Sequence, residues 1–286
     1  MNGQSAAYFG EFFGTFILVF FGTAIVAVAV LFQAPLGLVQ VAVVWGIGVT
    51  LAIYATRHLS CAHLNPAVSL GMVLAGRMQP RLFVPYCGAQ LAGAAAAGGM
   101  ILLLFHPSIA AFEHAHGIIR GAPDSVRTAM LFGEYFPNPG FDIPWFKVSL
   151  PTAMLTEGLG TFLLVSMIFL LTEGCNVGRP TDAISPVFIG ATVAALIAVT
   201  APLTQTGINP ARDFGPRLVA YFAGWKQVAI PGPRGGFFWV YIAAPLAGAA
   251  LSALCFRFVL SPLMTARNRV TTCDCKEPEA GSLRMF

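Results

Sequence analysis

The sequence contains Asn-Pro-Ala twice, at Asn65-Pro66-Ala67 and at Asn209-Pro210-Ala211. Asn is a strong helix N-cap and Pro suits the first helical position, so each segment predicts the start of a helix. A helix N-terminus carries partial positive charge. Two such starts aimed at one point would repel cations, including protons, while the Asn amides donate hydrogen bonds to a neutral solute. The chemistry indicated is passage of uncharged molecules.

Irregular backbone is expected just before each Asn-Pro-Ala segment, over residues 60–64 and 205–208. Within a bilayer such backbone is tolerated only where it is buried in protein or lines water. We therefore predict a ladder of backbone carbonyl acceptors along a wet path. The residues assigned to this ladder are Cys61, Ala62, His63, Gln205 and Gly207.

The composition indicates a protein whose solvent is lipid. Of the 286 residues, 57% are hydrophobic and 10% are charged, against about 25% charged in soluble domains. The net charge of +4 includes no long basic run, so nucleic acid is not an expected partner. We expect no cleavable signal peptide and no cofactor. Cys273 and Cys275 are too few for a metal site, and Glu113 is expected in a solvated loop.

Six segments are long and apolar enough to cross a bilayer, for which about 20 residues are needed. They are residues 6–32, 36–56, 82–105, 150–171, 183–203 and 237–260. Residues 65–75 and 209–221 are shorter apolar segments that begin at the two Asn residues. About eleven helical residues reach roughly 16 Å, or half of a ~30 Å hydrocarbon core. The shorter segments are therefore predicted to be half-spans.

The two halves of the chain repeat each other. Residues 11–16, Glu-Phe-Phe-Gly-Thr-Phe, correspond to residues 157–162, Glu-Gly-Leu-Gly-Thr-Phe, at a spacing of 146, and the Asn-Pro-Ala segments are 144 residues apart. Each unit has three spans, so the second unit enters the membrane inverted. The predicted fold class is an all-α membrane protein with six transmembrane helices and two re-entrant half-helices.

One transmembrane domain is expected over residues 1–260. Repeat one covers about residues 6–105, a connecting loop residues 106–147, repeat two about residues 148–260, and a cytoplasmic tail residues 261–286. Most Arg residues near the span ends fall on the side of the two termini, which the positive-inside rule makes cytoplasmic. The opposite side carries Arg212, Arg217, Lys226 and Arg234, which weakens this signal.

The residues around both motifs resemble the major intrinsic protein family, the aquaporins and aquaglyceroporins. The specific parts are residues 63–68, His-Leu-Asn-Pro-Ala-Val, and residues 207–217, Gly-Ile-Asn-Pro-Ala-Arg-Asp-Phe-Gly-Pro-Arg. The resemblance implies an aquaporin-like channel, not an enzyme. It also implies a homotetramer with one pore per subunit, placed in the lipid bilayer of the plasma membrane, which is the inner membrane in a bacterium.

Asp213 and Arg217 look like the glycerol-conducting branch, since water-selective members usually have Ser at the position of Asp213. Tyr241 and Ile242 stand where that branch has Pro-Leu. A charge as deep as Asp213 is costly without a partner, so a neighbouring Arg or the helix N-terminus is expected beside it.

By resemblance the selectivity filter consists of Trp45, Ile197, Thr206 and Arg212. Glycerol channels typically have Gly at the Ile197 position and Phe at the Thr206 position. The mixture found here is also similar to the plant nodulin-26-like branch, which passes neutral metalloid hydroxides. The expected solutes are glycerol and water, with urea, boric acid and arsenous acid as alternatives.

Glu11 and Glu157 are acidic residues within predicted spans. They would form a proton-coupled pair in a secondary transporter, the alternative class that also uses inverted repeats and broken helices. The favoured interpretation is structural, in which each accepts hydrogen bonds from the re-entrant backbone of its own half. For His63, bracing of the loop and contact with the lumen are both open.

Overall fold

The computed structural model describes residues 3–141, 143 and 145–274, with side chains up to residue 267. Six helices are long and apolar enough to cross a membrane, and a short helix follows each Asn-Pro pair. Single helical turns, such as Val126–Ala129, lie in the connections. The described residues contain no strand, so the predicted fold class is confirmed. The helices are α1 Gly3–Leu31, α2 Leu38–Ser60, α3 Pro66–Leu74, α4 Phe83–Ala115, α5 Leu150–Thr172, α6 Ser185–Thr204, α7 Pro210–Ala220 and α8 Phe238–Arg267.

Two helix ends differ from the sequence prediction. Helix α4 continues past Phe105 to Ala115, because Ile109 and Phe112 are buried and extend its packed face. Helix α8 continues past Leu260, the predicted end of the last span, and helical backbone reaches Asp274 within the predicted tail. The Cys273 side chain and all of Cys275 lie outside the described residues.

The backbone before each half-helix repeats in detail. Helices α2 and α6 each end at a residue in the left-handed conformation, Cys61 and Gln205. The φ angles of Cys61, Ala62 and Leu64 are positive, as are those of Gln205, Thr206 and Ile208, each 144 residues further along. Positive φ is strained for these residue types. The same strained path in both halves supports the duplication read from the sequence.

Glycines let the helices of each repeat cross closely. A Cβ on Gly93 of α4 would lie 2.1 Å from the carbonyl oxygen of Phe12 in α1. A Cβ on Gly248 of α8 would lie 2.0 Å from the carbonyl oxygen of Gly158 in α5. Small residues permit such approach in membranes. Phe12 and Gly158 directly follow the two buried Glu residues, so both crossings lie beside the re-entrant loops.

Each half-helix packs on the last spanning helix of the other repeat. Ala67 and Val68 of α3 share a buried cluster with Ala249 and Ala253 of α8. Helix α7 packs on α4, where a Cβ on Gly98 would lie 2.7 Å from Pro216. The contacts of α3 with α8 and of α7 with α4 join the two repeats around the centre of the molecule. The end of the molecule where α1 begins and α8 ends is called the terminal face. Residues 116–149 are called the connector, and the end of the molecule that carries them is called the connector face.

Candidate solute pathway

A cavity of about 380 Å³ extends from the terminal face past the starts of both half-helices. Arg57, Arg77 and Asp182 line its outer part. Further in, its wall includes both Asn residues of the motifs and all four predicted filter residues, namely Asn65, Asn209, Trp45, Ile197, Thr206 and Arg212. The structure thus brings residues far apart in the sequence to a single cavity.

Both half-helices begin as predicted from the Asn-Pro pairs. Asn65 Oδ1 accepts a hydrogen bond from Ala67 N at 2.8 Å. Asn209 Oδ1 accepts from Ala211 N at 3.1 Å and from Arg212 N at 3.2 Å. Each Asn therefore occupies the N-cap position, with Pro as the first helical residue.

The amide groups of the two Asn residues also tie the halves together. Asn65 Nδ2 donates to the carbonyl oxygen of Ile208 at 2.9 Å, and Asn209 Nδ2 donates to that of Leu64 at 2.9 Å. The sequence analysis expected these amides to donate into the lumen. An amide has two N–H donors, and these contacts use one donor of each Asn, so donation into the lumen by the other stays a prediction.

Glu11 and Glu157 hold the re-entrant backbone in equivalent ways. Glu11 accepts from His63 N at 2.9 Å and from Leu64 N at 2.7 Å. Glu157 accepts from Gly207 N at 2.8 Å and from Ile208 N at 2.6 Å. Backbone donors thus occupy both carboxylates, which is the arrangement that the structural interpretation predicts.

His63 both braces the first loop and reaches the cavity. Its Nδ1 lies 3.2 Å from Ser69 Oγ, and its ring lies 5.4 Å from that of Tyr86. His63 also lines the large cavity. These contacts are compatible with both interpretations left open by the sequence.

Four of the five residues assigned to the carbonyl ladder line the cavity, namely Cys61, Ala62, His63 and Gly207. The fifth, Gln205, is not part of the cavity wall among the described residues. Its side chain faces the connector instead, where Oε1 accepts from Tyr135 N at 2.9 Å. Thr206, which follows Gln205, lines the cavity in its place.

Arg212 and Trp45 are in direct contact at the inner end of the cavity. The guanidinium carbon of Arg212 lies 4.0 Å from the ring centre of Trp45, a stacked cation–π arrangement that Arg favours. Gly22 of α1 makes room for this ring, since a Cβ there would lie 2.1 Å from it. Thr206 Oγ1 lies 2.8 Å from Thr200 Oγ1, so its hydroxyl is partly occupied by the protein.

The partner expected for Asp213 is Arg217. Arg217 Nε donates to Asp213 Oδ2 at 2.9 Å and Nη2 donates to Oδ1 at 2.8 Å, and both side chains are buried.

Tyr241 contacts the end of α6 and the second re-entrant loop. Its hydroxyl donates to the carbonyl oxygen of Thr204 at 3.1 Å. Its ring lies against Gly207, where a Cβ would be 2.7 Å away. Tyr241 therefore braces the second loop. Its neighbour Ile242 is half-buried.

Sequence reasoning missed Glu134 of the connector. Its side chain is buried and its Oε1 contacts Arg212 Nη1. Glu134 also lines a second cavity of about 260 Å³ at the connector face. No motif or repeat marks this residue, because the connector has no counterpart in the duplicated unit.

The connector is fixed at its start as well. Glu113 is buried at the end of α4, where it pairs with Arg120 at 2.7 Å and accepts from Thr128 Oγ1 at 2.8 Å. The expectation that Glu113 lies in a solvated loop is therefore wrong. Further along, burial raises the pKa of Tyr135 to about 12, so its phenol stays protonated and donates to Val228 O at 3.0 Å.

Comparisons with known proteins agree with this architecture. Residues 2–256 match the model of the family described as "Major intrinsic protein". The X-ray structure of the aquaglyceroporin from Plasmodium falciparum superposes with a TM-score of 0.77 at 24% identity, covering 92% of this chain and 99% of that one. At this identity the likeness shows the fold.

Three relatives are more similar in sequence. The glycerol uptake facilitator protein of Pseudomonas aeruginosa is 39% identical, over 88% of this chain and 87% of its own length. The glycerol uptake facilitator protein of Escherichia coli strain K12 is 37% identical, over 90% of this chain and 88% of its own length. The propanediol uptake facilitator PduF of Citrobacter freundii is 36% identical, over 98% of this chain and 99% of its own length. The chain belongs to the major intrinsic protein family, whose members are passive membrane channels and not enzymes.

Proposed function

We propose that this protein is a passive channel for glycerol and related small uncharged polyols, such as 1,2-propanediol, and for water. The observation that carries the proposal is the placement of Trp45, Ile197, Thr206 and Arg212 on the wall of one cavity. The relatives named for glycerol and propanediol uptake, which match over most of the chain, support the same class of solute.

The proposed filter suits an amphipathic polyol. The Arg212 guanidinium carries five N–H donors, and Glu134 is its one ion-pair partner in the described part of the chain. Its remaining donors can bind two neighbouring hydroxyl groups. Trp45 and Ile197 present apolar surface on the same wall, against which a carbon backbone can pack. A polyol thus keeps its polar contacts on one side and its apolar contacts on the other.

Ions and protons are excluded at the centre. The half-helices α3 and α7 both start beside Asn65 and Asn209, so two positive helix ends point at the same stretch of the cavity. The guanidinium of Arg212, paired with Glu134, lies nearby. A permeating cation would meet this field after losing part of its hydration, whereas a neutral solute would not.

The test is stopped-flow permeation in proteoliposomes with glycerol, 1,2-propanediol, water, urea and boric acid. We expect glycerol and propanediol to enter faster than urea or boric acid, without saturation at low concentration and without dependence on an ion gradient. Faster entry of boric acid would favour the metalloid alternative suggested by Ile197 and Thr206. Saturable entry that follows a proton or sodium gradient would contradict the channel.

We further propose a homotetramer in the inner membrane of a bacterium, formed by a single transmembrane domain over residues 1–260, with both termini in the cytoplasm. The bacterial relatives support the location, and the apolar side chains exposed along the spans are suited to lipid and to neighbouring subunits. The Arg-rich terminal face supports the orientation.

Cys61 offers a test of that orientation. It lines the large cavity on the terminal side and its side chain is exposed. In a variant that keeps Cys61 as its one cysteine, a membrane-impermeant thiol reagent should reduce glycerol flux when applied from the cytoplasmic side. The same variant with Cys61→Ser should be insensitive. Block from the periplasmic side alone would reverse the orientation.

A further inference from the structure

The outer part of the large cavity, where it opens at the terminal face, is called the terminal mouth, and its wall includes Arg57, Arg77 and Asp182. Arg57 stands in the last turn of α2, and its Nη1 donates to the backbone carbonyl oxygen of Asp182 at 2.6 Å. The carboxylate of Asp182 is paired with Arg179 instead. Arg57 is therefore held by a neutral group, which leaves its positive charge uncompensated.

Arg77 brings a second guanidinium to the terminal mouth and is held from several sides. Its Nη2 pairs with a carboxylate oxygen of Glu173, and its Nη1 donates to Thr172 Oγ1 at 3.4 Å. The guanidinium carbon lies 5.3 Å from the ring centre of Phe169 and 4.7 Å from that of Phe256. These contacts fix the guanidinium in place while using two of its five N–H donors.

The arginines on the wall of the large cavity differ in their carboxylate partners. Arg77 pairs with Glu173, and Arg212 pairs with Glu134. Arg57 belongs to none of the ion pairs formed by the described residues. A guanidinium with unused donors at the mouth of a cavity is suited to an anion that arrives from solution.

The charge of the terminal face favours the approach of an anion. Among the described residues, its acidic side chains are Glu173 and Asp182, and its arginines are Arg57, Arg77, Arg81, Arg179, Arg257 and Arg267. An excess of one sign around a cleft raises the local concentration of the opposite ion. The effect is screened by salt, so it is strongest at low ionic strength.

The cavity wall becomes apolar directly behind the terminal mouth. Ile53 lies one helical turn inward from Arg57, and Ile168 and Ile189 line the same cavity. An anion that moved past these side chains would give up its hydration without gaining a polar partner, which is costly. An anion drawn to the terminal mouth is therefore expected to stop there.

We propose that Arg57 and Arg77 form an anion site at the terminal mouth, which takes inorganic phosphate or a small phosphate monoester, and that the bound anion slows the passage of solutes. Guanidinium groups bind phosphate oxygens in pairs, and a tetrahedral phosphate offers oxygens to both arginines. Anion binding goes beyond the proposed function, whereas the effect on passage rests on it. In the proposed orientation the site faces the cytoplasm.

Binding is measured by calorimetric titration of inorganic phosphate, and then of methyl phosphate, into the full-length channel in phosphatidylcholine nanodiscs at low, constant ionic strength. Arg57→Gln keeps a donor for the Asp182 carbonyl oxygen but removes the charge, and should weaken phosphate binding about tenfold or more, the effect of one lost charge-assisted hydrogen bond. Arg57→Lys keeps the charge without the planar fork, so its affinity should lie between.

Arg81→Gln is the matched control. It removes a positive charge from the same face, but Arg81 donates to Gln79 Oε1 at 2.9 Å and is not part of the described cavity wall. This variant should bind phosphate nearly as well as the wild type. An equal loss of affinity in Arg81→Gln and Arg57→Gln would reduce the effect to general surface charge and overturn the site.

The effect on passage is measured as stopped-flow glycerol entry into phosphatidylcholine liposomes, with phosphate at equal concentration on both sides so that the orientation of the protein does not matter. Saturating phosphate should slow glycerol entry through the wild type several-fold, and should change entry through Arg57→Gln little. Each variant is compared with itself in chloride of the same ionic strength, so differences in basal permeability do not enter.

Cys61 reports the occupancy of the terminal mouth directly. Its N–H donates to the carbonyl oxygen of Arg57 at 3.2 Å, and its exposed side chain lines the same cavity. In the variant that keeps Cys61 as its one cysteine, phosphate should slow the reaction of this thiol with uncharged N-ethylmaleimide. Adding Arg57→Gln should remove the protection. Equal protection with and without Arg57 would overturn its place in the site.

A lipid headgroup is the other source of the same phosphate chemistry. If headgroups filled the site, replacing phosphatidylcholine by phosphatidylglycerol would lower glycerol entry through the wild type but not through Arg57→Gln, without added phosphate. We expect no such difference, because both arginines line a cavity between the helices of the chain. A difference of this kind would overturn the assignment to a free anion.

The outcomes separate the anion site from the proposed function. If the wild type passes glycerol but binds no phosphate, or binds it as well as Arg57→Gln does, the anion site fails and the proposed function stands. Phosphate binding that leaves glycerol entry unchanged would overturn the effect on passage. If the wild type passes no glycerol, the proposed function fails, while calorimetry and the protection of Cys61 still decide the anion site.

Discussion

The half-helices α3 and α7 begin in the same way and continue differently. Each starts at an Asn whose oxygen caps the helix and whose amide binds the backbone of the other half. After the Asn-Pro-Ala start, α3 carries no charged residue, whereas α7 carries Arg212, Asp213 and Arg217. The shared part is what two inverted units need in order to meet at one centre. The part that differs lies toward the connector and includes Arg212 of the proposed filter.

We therefore propose that the duplicated sequence builds the barrier to ions, while the choice among neutral solutes depends mainly on the second half, which supplies Ile197, Thr206 and Arg212 beside Trp45 of the first half. Val68 of α3 corresponds to Arg212 of α7, and Ala62 corresponds to Thr206. All four side chains line the large cavity. Their consequences for permeation should therefore differ between the two halves, although their positions are equivalent.

The largest effect is expected where the halves are alike. Glu11→Leu and Glu157→Leu each leave two backbone N–H groups of a re-entrant loop without an acceptor. Each buried donor left unpaired costs about 1–3 kcal/mol, and the strained loop loses its support. Both variants should fail to give a monodisperse channel on size-exclusion chromatography. Normal assembly of one of them would show that the halves do not depend equally on their Glu.

A smaller and again symmetric effect is expected from the two N-cap residues. Asn65→Ala and Asn209→Ala each remove a helix cap and a hydrogen bond across the centre, at about 1 kcal/mol for each interaction. Both variants should assemble, with a similar fall in melting temperature and a rise in proton leak measured with a pH-sensitive dye. A leak confined to one variant would break the proposed symmetry of the centre.

The next prediction concerns the size of the solute, and the expected effect differs between the two halves of the chain. Thr206→Phe narrows the cavity at the proposed filter, and should raise the preference for glycerol over bulkier polyols. A lost or gained close contact of this kind is worth about 1–3 kcal/mol, or roughly tenfold or more in the permeability ratio. Ala62→Phe, at the equivalent place in the first half, should reduce the flux of all solutes in proportion. The readout is the rate of entry of glycerol, erythritol and ribitol.

The sequence predicted the symmetric centre because the repeat provides two copies of each signal. Asn65 and Asn209 predicted both helix starts, and the acidic residues Glu11 and Glu157 predicted the support of both loops. The predicted partner of Asp213 followed from the cost of a buried charge. These inferences depend on residue chemistry and on a fixed spacing, both of which can be read from one chain.

The connector could not be predicted in the same way. Glu134 reaches Arg212 only because the chain folds back over α7, a contact between residues 78 positions apart with no repeated copy. Gln205 faces the connector and not the cavity for the same reason. The end of α4 was also missed, because the polar residues of its last turns conceal the buried Ile109 and Phe112.

The most direct test of the asymmetry compares Arg212→Ala with Val68→Ala. We measure the permeability of glycerol, urea and larger polyols together with proton leak in the same liposomes. Arg212→Ala should admit the larger solutes, lose the preference for glycerol and leak protons, whereas Val68→Ala should keep the wild-type order of solutes. An unchanged order of solutes in Arg212→Ala, or an equal change in both variants, would contradict the assignment of solute choice to Arg212.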